Sequence, residues 1–452
     1  MMKIRSSKSL LAQAITGMLA AGALLHASSA SAISLTAAYE AALQNDPIFQ
    51  SALQDKAAGL EYKTIGRSTL LPQVSASYAN SRNRADVTEP NILGNFVTSH
   101  PVYHSTGTNL SLRQALFSMD AWARYKQGIA QTQYSEAQFV LHGQELILRL
   151  VGAYTDALFT EDHLRLAIAQ RDTYLEQKKV NDQLFAKGEG TKTDMLETQA
   201  RLDLAEAQVL EAQDNRETAR AQLATVVGSD VTGLDELKPD FRVLPLPEGG
   251  FDELKKTALA VNPDLVSQTY AIAAAKEEVN KSRAGHTPRV DFVAGYSRSN
   301  SETITTRQQD SVNRTIGIQI NIPIYQGGYV SAVSRQAVAA LEKSKDDLQA
   351  RTDKVTVELR KQYAAVVSGA SRIAALEKAV VSGKLLLQAT EQSIKGGVRI
   401  NLDLLNAQQQ LYVSQRDLSQ AKYTYLLSLA RLRAAAGTLG PDDVRDIGRY
   451  FQ

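Results

Sequence analysis

The residue types that usually carry chemistry are scarce in this chain, and their spacing does not suit bond making. There is no cysteine, so no thiolate nucleophile, no disulfide and no lipid anchor on an N-terminal cysteine is expected. His100 and His104 stand four apart, but in a polar loop with no acidic or cysteine partner nearby in sequence. No HExxH, P-loop or nucleophile-elbow pattern occurs, and neither metal nor cofactor is expected. What remains is a set of polar and charged residues beside two glycine turns. Thr193 and Asp194 follow Lys187-Gly188-Glu189-Gly190, while Asp403 and Asn406 follow Lys395-Gly396-Gly397-Val398-Arg399. Their chemistry is that of ion pairs and hydrogen bonds at helix ends.

Two long stretches must position these residues: Leu110 to Gly228, and Ile316 to Gly437 about 208 residues later. Each begins with apolar alternation, the mark of a strand with one greasy face. In the first, Leu110 and Leu112 lead to Leu116-Phe117. In the second, Ile316, Ile318, Ile320, Ile322 and Ile324 lead to Tyr325-Gln326-Gly327-Gly328, where Pro323, Tyr325 and the two glycines mark a strand-to-helix junction and Gly327-Gly328 lets the strand swing into the helix. The pattern then turns helical, with Phe139, Leu146, Leu150, Ala153, Tyr154 and Ala157 on one stripe. A helix running to about Phe185 would be roughly 100 Å long at ~1.5 Å per residue. Such lengths are stable only in a coiled or bundled array. Gly188 and Gly190, like Gly396 and Gly397, give turn signals at the helix C-termini, and Thr191 or Thr193 can cap the helix that follows.

Around these stretches the chain reads as a direct repeat. Ile33 to Asn45 is a short helix, Asp46-Pro47 a cap and first turn, and a second helix runs to about Thr69. Leu71-Pro72 stops it, Val74, Ala76 and Tyr78 alternate as a strand, and Arg82 to Pro101 is a polar loop. Phe251 to Ala260, Asn262-Pro263, Thr287-Pro288 and the alternating Val290, Phe292, Ala294 and Tyr296 follow the same order, with a polar loop from Ser297 to Asn313. Pro47/Pro263 and Pro72/Pro288 share an offset of 216; Lys187-Gly188 answers Lys395-Gly396 at 208, and Asp194, Leu196 and Gly228 answer Asp403, Leu405 and Gly437 at 209. The expected organisation is a first repeat over 33–228, with a β-hairpin near 73–117 and a helical hairpin near 119–227. A linker at 229–250 carries Pro239, Pro245 and Pro247. A second repeat over 251–437 has hairpins near 289–325 and 327–436, and 438–452 is a tail.

Composition sets the compartment. Residues 1–32 read as a secretory signal: Lys3, Arg5 and Lys8, then an apolar run from Leu10 to Leu25, then Ala30-Ser31-Ala32. Its removal takes three positive charges and turns the formal +2 into −1, which gives no support for nucleic-acid binding. No later run is apolar and long enough for a membrane helix, so any membrane crossing must use strands. Four strands cannot close a barrel around an open lumen, and open sheet edges are not tolerated in lipid. The chain must therefore form an oligomer. A soluble four-stranded sheet capped by helices is the bland alternative, and helices this long cannot pack onto so small a sheet.

The sequence resembles the TolC-type outer-membrane export channels, the outer membrane factors, across essentially all of Ile33 to Tyr450. The resemblance rests on Leu71-Pro72-Gln73, Thr287-Pro288, Ile322-Pro323-Ile324-Tyr325-Gln326-Gly327-Gly328 and Gly397-Val398-Arg399-Ile400-Asn401-Leu402-Asp403. It implies an α+β membrane protein in the outer membrane of a Gram-negative cell. A homotrimer, four strands per chain, would form a 12-stranded β-barrel continuous with a long α-helical barrel in the periplasm. The linker and tail would form a belt about that barrel. The resemblance also implies a gate at the helical tips, where Arg399 would donate to Asp194, beside Thr193, across neighbouring coils. A family tyrosine that makes a second link falls at Ile394, so closure leans on Arg399–Asp194, worth ~1–3 kcal/mol when partly desolvated. Asp403 would form a constriction ring, with Asn406 where the family has a second acidic residue; a single ring should bind cations more weakly than a double one. Solvated helix-end charge stays open as the other reading of these residues.

The function so implied is an exit duct for small molecules or proteins, not an enzyme. It would be served by a periplasmic adaptor (membrane fusion) protein and an inner-membrane pump or ABC exporter, with outer-membrane lipid around its barrel. A poreless coiled-coil adaptor or spacer is the competing reading, and a hydrolase on a helical scaffold lacks any catalytic constellation. Phe117 and Trp122 fit either an interfacial aromatic belt or core packing. The run Gln408-Gln409-Gln410 is expected to face lumen or solvent without specific partners.

Overall fold

The computed structural model describes residues 32–243, 249–301 and 309–452. The signal segment up to residue 31, Pro245 and Pro247, and part of the second polar loop lie outside the described residues. The chain divides into two compact units: Met1–Gln50, Gly143–Lys255 and Glu358–Gln452 form one, Ser51–His142 and Lys256–Val357 the other.

The first half runs α1 (Leu35–Asn45), α2 (Pro47–Ser68), β1 (Gln73–Arg84), β2 (Val87–Pro90), β3 (Phe96–Ser99), β4 (Val102–Phe117), α3 (Met119–Ala186) and α4 (Lys192–Val227). The second runs α5 (Gly250–Val261), α6 (Pro263–Arg283), β5 (Arg289–Ser301), β6 (Gln309–Asn321), α7 (Tyr329–Lys395), α8 (Asn401–Ala435) and α9 (Pro441–Gly448). The proline starts are capped as their sequences require. Asp46 Oδ1 accepts the Phe49 amide at 2.7 Å, and Asn262 Oδ1 accepts that of Asp264 at 3.0 Å, satisfying amides the helix leaves bare.

The sheet belongs to the second unit. Its order is β1-β4-β5-β6 and every neighbouring pair is antiparallel. Register brings Val74, Leu112, Ala294 and Ile316 into one row across the four strands, with Ala76, Leu110 and Tyr296 in the next. Phe292–Ile318 and Phe117–Val290–Ile320 continue the same face. Apart from Gln114, which pairs with Phe292, and Arg314, which pairs with Tyr296, the even-numbered residues of these rows make one apolar face, which Phe117 joins past an irregularity between Ala115 and Phe117. At ~3.4 Å per residue the apolar band is about 20 Å tall, close to the lipid-facing band of an outer-membrane strand. The odd-numbered face carries Ser, Asn, Gly, Thr and Gln. Ile316, Ile318 and Ile320 are 76%, 65% and 62% exposed, so none of the described residues covers them.

Several strand ends differ from expectation. β1 continues to Arg84, β5 to Ser301, and β6 begins at Gln309, because the backbone ladder runs on where the side chains become polar. The first polar loop also folds its own ribbon, β2 with β3. At its base His100 Nδ1 lies 2.5 Å from Asp86 Oδ1, so the histidine does have an acidic partner, one the hairpin brings from fourteen residues away. At the other end β6 stops at Asn321 rather than running through Ile324, since Pro323 has no N–H to give a ladder. Gly327 and Gly328 then take φ of +61° and +81°, left-handed values that glycine adopts without strain. Phe117 and Trp122 are each half exposed, so neither is buried within the single chain.

Also within this unit, α2 and α3 meet backbone to backbone. A Cβ on Gly66 would lie 2.6 Å from the Arg124 carbonyl oxygen, and one on Gly128 2.3 Å from that of Tyr62.

In the other unit, Leu146, Leu150, Tyr154 and Ala157 of α3 are fully buried and Ala153 of the expected stripe is half-buried; Phe139, also half-buried, lies on the part of α3 that belongs to the sheet's unit. Linker and tail pair with one another: Leu237 bridges Phe451, and Lys238 N donates to Tyr450 O at 2.9 Å. Phe451 packs edge-on against Tyr154 at 5.3 Å. The tail is therefore ordered, with α9 inside it.

The two faces of the sheet should respond oppositely to charge. Ile318→Lys is expected to cost ~2–4 kcal/mol of membrane insertion and to deplete the protein from outer-membrane fractions. Thr315→Lys, on the odd-numbered face of the same strand, should leave its recovery unchanged.

Candidate functional site

The polar residues singled out in the sequence collect around two turns of the first unit. α3 ends at Ala186, Gly188 takes φ +77°, and the Gly188 and Glu189 amides donate to Phe185 O at 3.0 Å and Leu184 O at 2.9 Å. α7 ends at Lys395, Gly397 takes φ +73°, and the Gly397 and Val398 amides donate to Ile394 O at 2.9 Å and Ser393 O at 3.0 Å. Both are left-handed glycine closures of a helix C-terminus. The matching backbone equates Gly188 with Gly397, an offset of 209, in place of the expected match to Gly396 at 208. Gly396 instead donates to Gln392 O at 3.1 Å, continuing the helix, and the Gly190 amide reaches Leu184 O at 3.1 Å.

After the turns the two halves diverge. Thr191 caps α4: its hydroxyl accepts the Asp194 amide at 3.1 Å and donates to Asp194 Oδ2 at 2.5 Å. Ile400 occupies the same place before α8 and offers no side-chain cap. The Asp403 carboxylate, half-buried in the first turn of α8, has no partner among the described residues. Asn406 is exposed and its Oδ1 accepts from Arg201 Nη2 of α4 at 3.0 Å. Arg399 is exposed and, among the described residues of a single chain, pairs with no carboxylate; Thr193 is exposed as well.

Just behind the turns lies a polar knot that the sequence reading missed. Thr198 is fully buried, and its hydroxyl accepts Asn181 Nδ2 of α3 at 2.8 Å and Asn401 Nδ2 of α8 at 3.2 Å while donating to Asp194 O at 2.8 Å. Gln177 Nε2 donates to Asn401 Oδ1 at 3.1 Å. Further along α3 and α8, Gln170 Nε2 and Tyr174 OH donate to Gln409 Oε1 at 2.6 and 3.3 Å. Gln409 thus has specific partners, contrary to the expectation of a solvated or lumen-facing run. Ser419 and Tyr423 hydroxyls both donate to Asp162 Oδ2, at 2.8 and 2.9 Å. The missed signal was amide side chains at positions where the helical stripe calls for apolar ones. A buried amide keeps its place only if its hydrogen bonds are met.

His163 belongs to the same α3–α8 seam. Its ring stacks on Phe159 at 5.9 Å and its Nε2 is 3.1 Å from Tyr412 OH. Burial, and then the Arg416 guanidinium, hold its pKa below the ordinary value, only partly offset by Glu211. Among the described residues no group of three or more His, Asp or Glu is placed to hold a metal, and no helix is long and apolar enough to cross a membrane.

A sheet with a lipid-compatible face and two unpaired edges, on a chain whose long helices close in glycine turns, defines a membrane channel built from strands. The chain belongs to the outer membrane efflux protein family, whose model matches residues 38–229 and 254–438. It is 40% identical over 439 residues to the alkaline protease secretion protein AprF of Pseudomonas aeruginosa, covering 97% of this chain and 91% of that protein. It is 35% identical over 433 residues to the proteases secretion protein PrtF of Dickeya chrysanthemi, covering 95% and 93%. The Campylobacter jejuni CmeC outer membrane channel shares the fold, with a TM-score of 0.77 at 16% identity over 92% of this chain and 90% of that one. The protein is thus an outer-membrane exit duct extending into the periplasm of a Gram-negative cell. The poreless adaptor alternative is set aside by these matches.

Two outcomes follow from the seam. Thr198→Val strands the Asn181 amide, a loss of ~1–3 kcal/mol, and should speed trypsin cleavage at Lys395 and Arg399 in the intact protein. Because the folded His163 pKa lies below the unfolded value of 6.5, the unfolded chain takes up the proton first as pH falls. Its contribution is then whole above pH 6.5 and lost below it towards the folded pKa. Thermal unfolding followed by helical circular dichroism should weaken from pH 7.5 to about 5.5, and less so in His163→Gln.

Proposed function

We propose that three copies of this chain close a twelve-stranded barrel, β6 of each pairing with β1 of the next, and that the assembly is the exit duct of a type I secretion system. The observation that carries this reading is the sheet itself: its even-numbered face suits lipid, and its two outer strands have free backbone edges that lipid does not tolerate. The likeness to two protease secretion proteins along nearly the whole chain favours polypeptide cargo over small molecules. An inner-membrane ABC exporter and a periplasmic adaptor would energise the duct and dock on its helical part, and the Leu237–Phe451 pairing of linker and tail would form the belt.

The tips act as the gate in this reading. Arg399, without a carboxylate partner among the described residues of its own chain, donates to Asp194 of a neighbouring coil, whose Oδ2 is already oriented by Thr191. Asp403, without a partner of its own, supplies one acidic ring, and Asn406, held by Arg201, adds no charge to it. Ile394 leaves the gate with fewer links than the family pattern.

Planar-bilayer recording tests both parts. Purified protein should insert pores that open rarely. Arg399→Ser should raise the open probability roughly five-fold, the Boltzmann factor of ~1 kcal/mol. Absence of pores refutes the duct, and pores indifferent to this substitution refute the latch.

A further inference from the structure

The odd-numbered face of the sheet is almost free of charge. Across the described residues of its four strands it presents Ser, Asn, Gln, Thr, Gly, Ala, Val and Tyr, and its only ionised side chains are Arg113, Arg289 and Asp291. These three form one cluster. Asp291 is 2% exposed. Arg113 Nε donates to Asp291 Oδ2 at 3.1 Å, and Arg289 Nε lies 2.9 and 3.0 Å from the two carboxylate oxygens. Gln319 Oε1 takes Arg113 Nη2 at 3.5 Å. One carboxylate serves two guanidiniums, so each cluster carries a net single positive charge. Arg113 and Arg289 stay about half exposed, and Arg113 Nη1 and both Nη groups of Arg289 have no partner among the described residues.

We infer that this cluster is an anion site on the inner wall of the barrel, taking carboxylate or phosphate groups of the passing cargo or of small multivalent anions. The inference rests on the trimeric barrel proposed above, in which the odd-numbered face lines the lumen. Two guanidiniums fastened to one carboxylate through their Nε atoms keep Arg113 Nη1 and both Nη groups of Arg289 for a second oxyanion, planar donors of the kind that suit carboxylate and phosphate. Three clusters around one axis give a cationic ring in a wall whose other described strand residues on this face are neutral. Because it is the one charged cluster on this face among the described strand residues, the ring sets the charge preference of the barrel there; rings of charged side chains select ions in this way in other pores. Asp291 restrains it: without that carboxylate the ring would carry twice the charge.

The test uses pores of the intact protein in planar bilayers at low salt, with pyrophosphate or a decapeptide of glutamate added to both sides. The wild type should show block by pyrophosphate, and block by the glutamate peptide identifies acidic polypeptide as a ligand beyond small anions. The double variant Arg113→Gln, Arg289→Gln should raise the half-blocking concentration about ten-fold or more, the loss of one charge-assisted hydrogen bond or so. Arg113→Lys should retain most of the block. Asp291→Asn should tighten it, which a purely structural role for the cluster would not do, and this arm decides the matter if the double variant fails to assemble. Wild-type pores that neither anion blocks, or block that ignores all three changes, overturn the anion site. Failure of the wild type to form pores overturns the duct reading instead.

Discussion

The structure hangs on backbone hydrogen bonds that four strands cannot complete alone. Inside the sheet every neighbouring pair has its ladder, but the outer sides of β1 and β6 face away from any partner strand. In water such edges bind solvent; in lipid each bare N–H or C=O costs several kcal/mol. The cost falls on two whole strand edges at once. Side-chain substitution cannot remedy it, because the donors and acceptors are backbone. The alternation of side chains follows from the same constraint: in the closed wall proposed above, one face meets hydrocarbon and the other meets water, and the residues sort by parity. Even Phe117, an odd number, lands on the apolar face only because the ladder slips between Ala115 and Phe117.

The helical unit solves a different problem with different chemistry. Long helices that pack along their length through apolar stripes alone can slide in register, because one leucine contact is much like another. Hydrogen-bonded amides and hydroxyls cannot slide so cheaply. Thr198 with Asn181 and Asn401, Gln409 with Gln170 and Tyr174, and Asp162 with Ser419 and Tyr423 tie α3 to its neighbours at fixed levels. Apart from Gln170 Oε1, which is buried without a partner among the described residues, these groups have partners whose loss would leave them unsatisfied, so the register is specified as well as stabilised. The same groups leave the turns free to differ.

Much of this architecture is legible in the sequence because it depends on local periodicity. The strands announce themselves through period two, the helices through their stripes, and the turns through glycines whose left-handed φ no other residue adopts cheaply. The ends of strands were less legible: β1 and β5 run on past Arg82 and Arg298 because a backbone ladder does not stop where side chains become polar. The pairing of β4 with β5 joins the two halves and has no local signature. Partnerships between distant residues were also hidden. His100 looked isolated until the ribbon base brought it to Asp86, and Gln409 looked solvated until α3 placed Gln170 and Tyr174 against it. Of the site residues, the bond of Asp194 to Thr191 was hidden because it requires knowing which threonine begins the helix.

The unequal starts of α4 and α8 make the two hairpins mechanically distinct. Thr191 fastens the first turn of α4, whereas Ile400 does nothing of the kind for α8, a difference worth ~0.5–2 kcal/mol in the resistance of that turn to unwinding. Fraying therefore begins at the second hairpin under any pull shared by both. Duplicated halves with one weak hem give the molecule a built-in order of yielding, in which the segment carrying Arg399 and Asp403 is the first to loosen and the segment carrying Asp194 serves as the anchor it returns to.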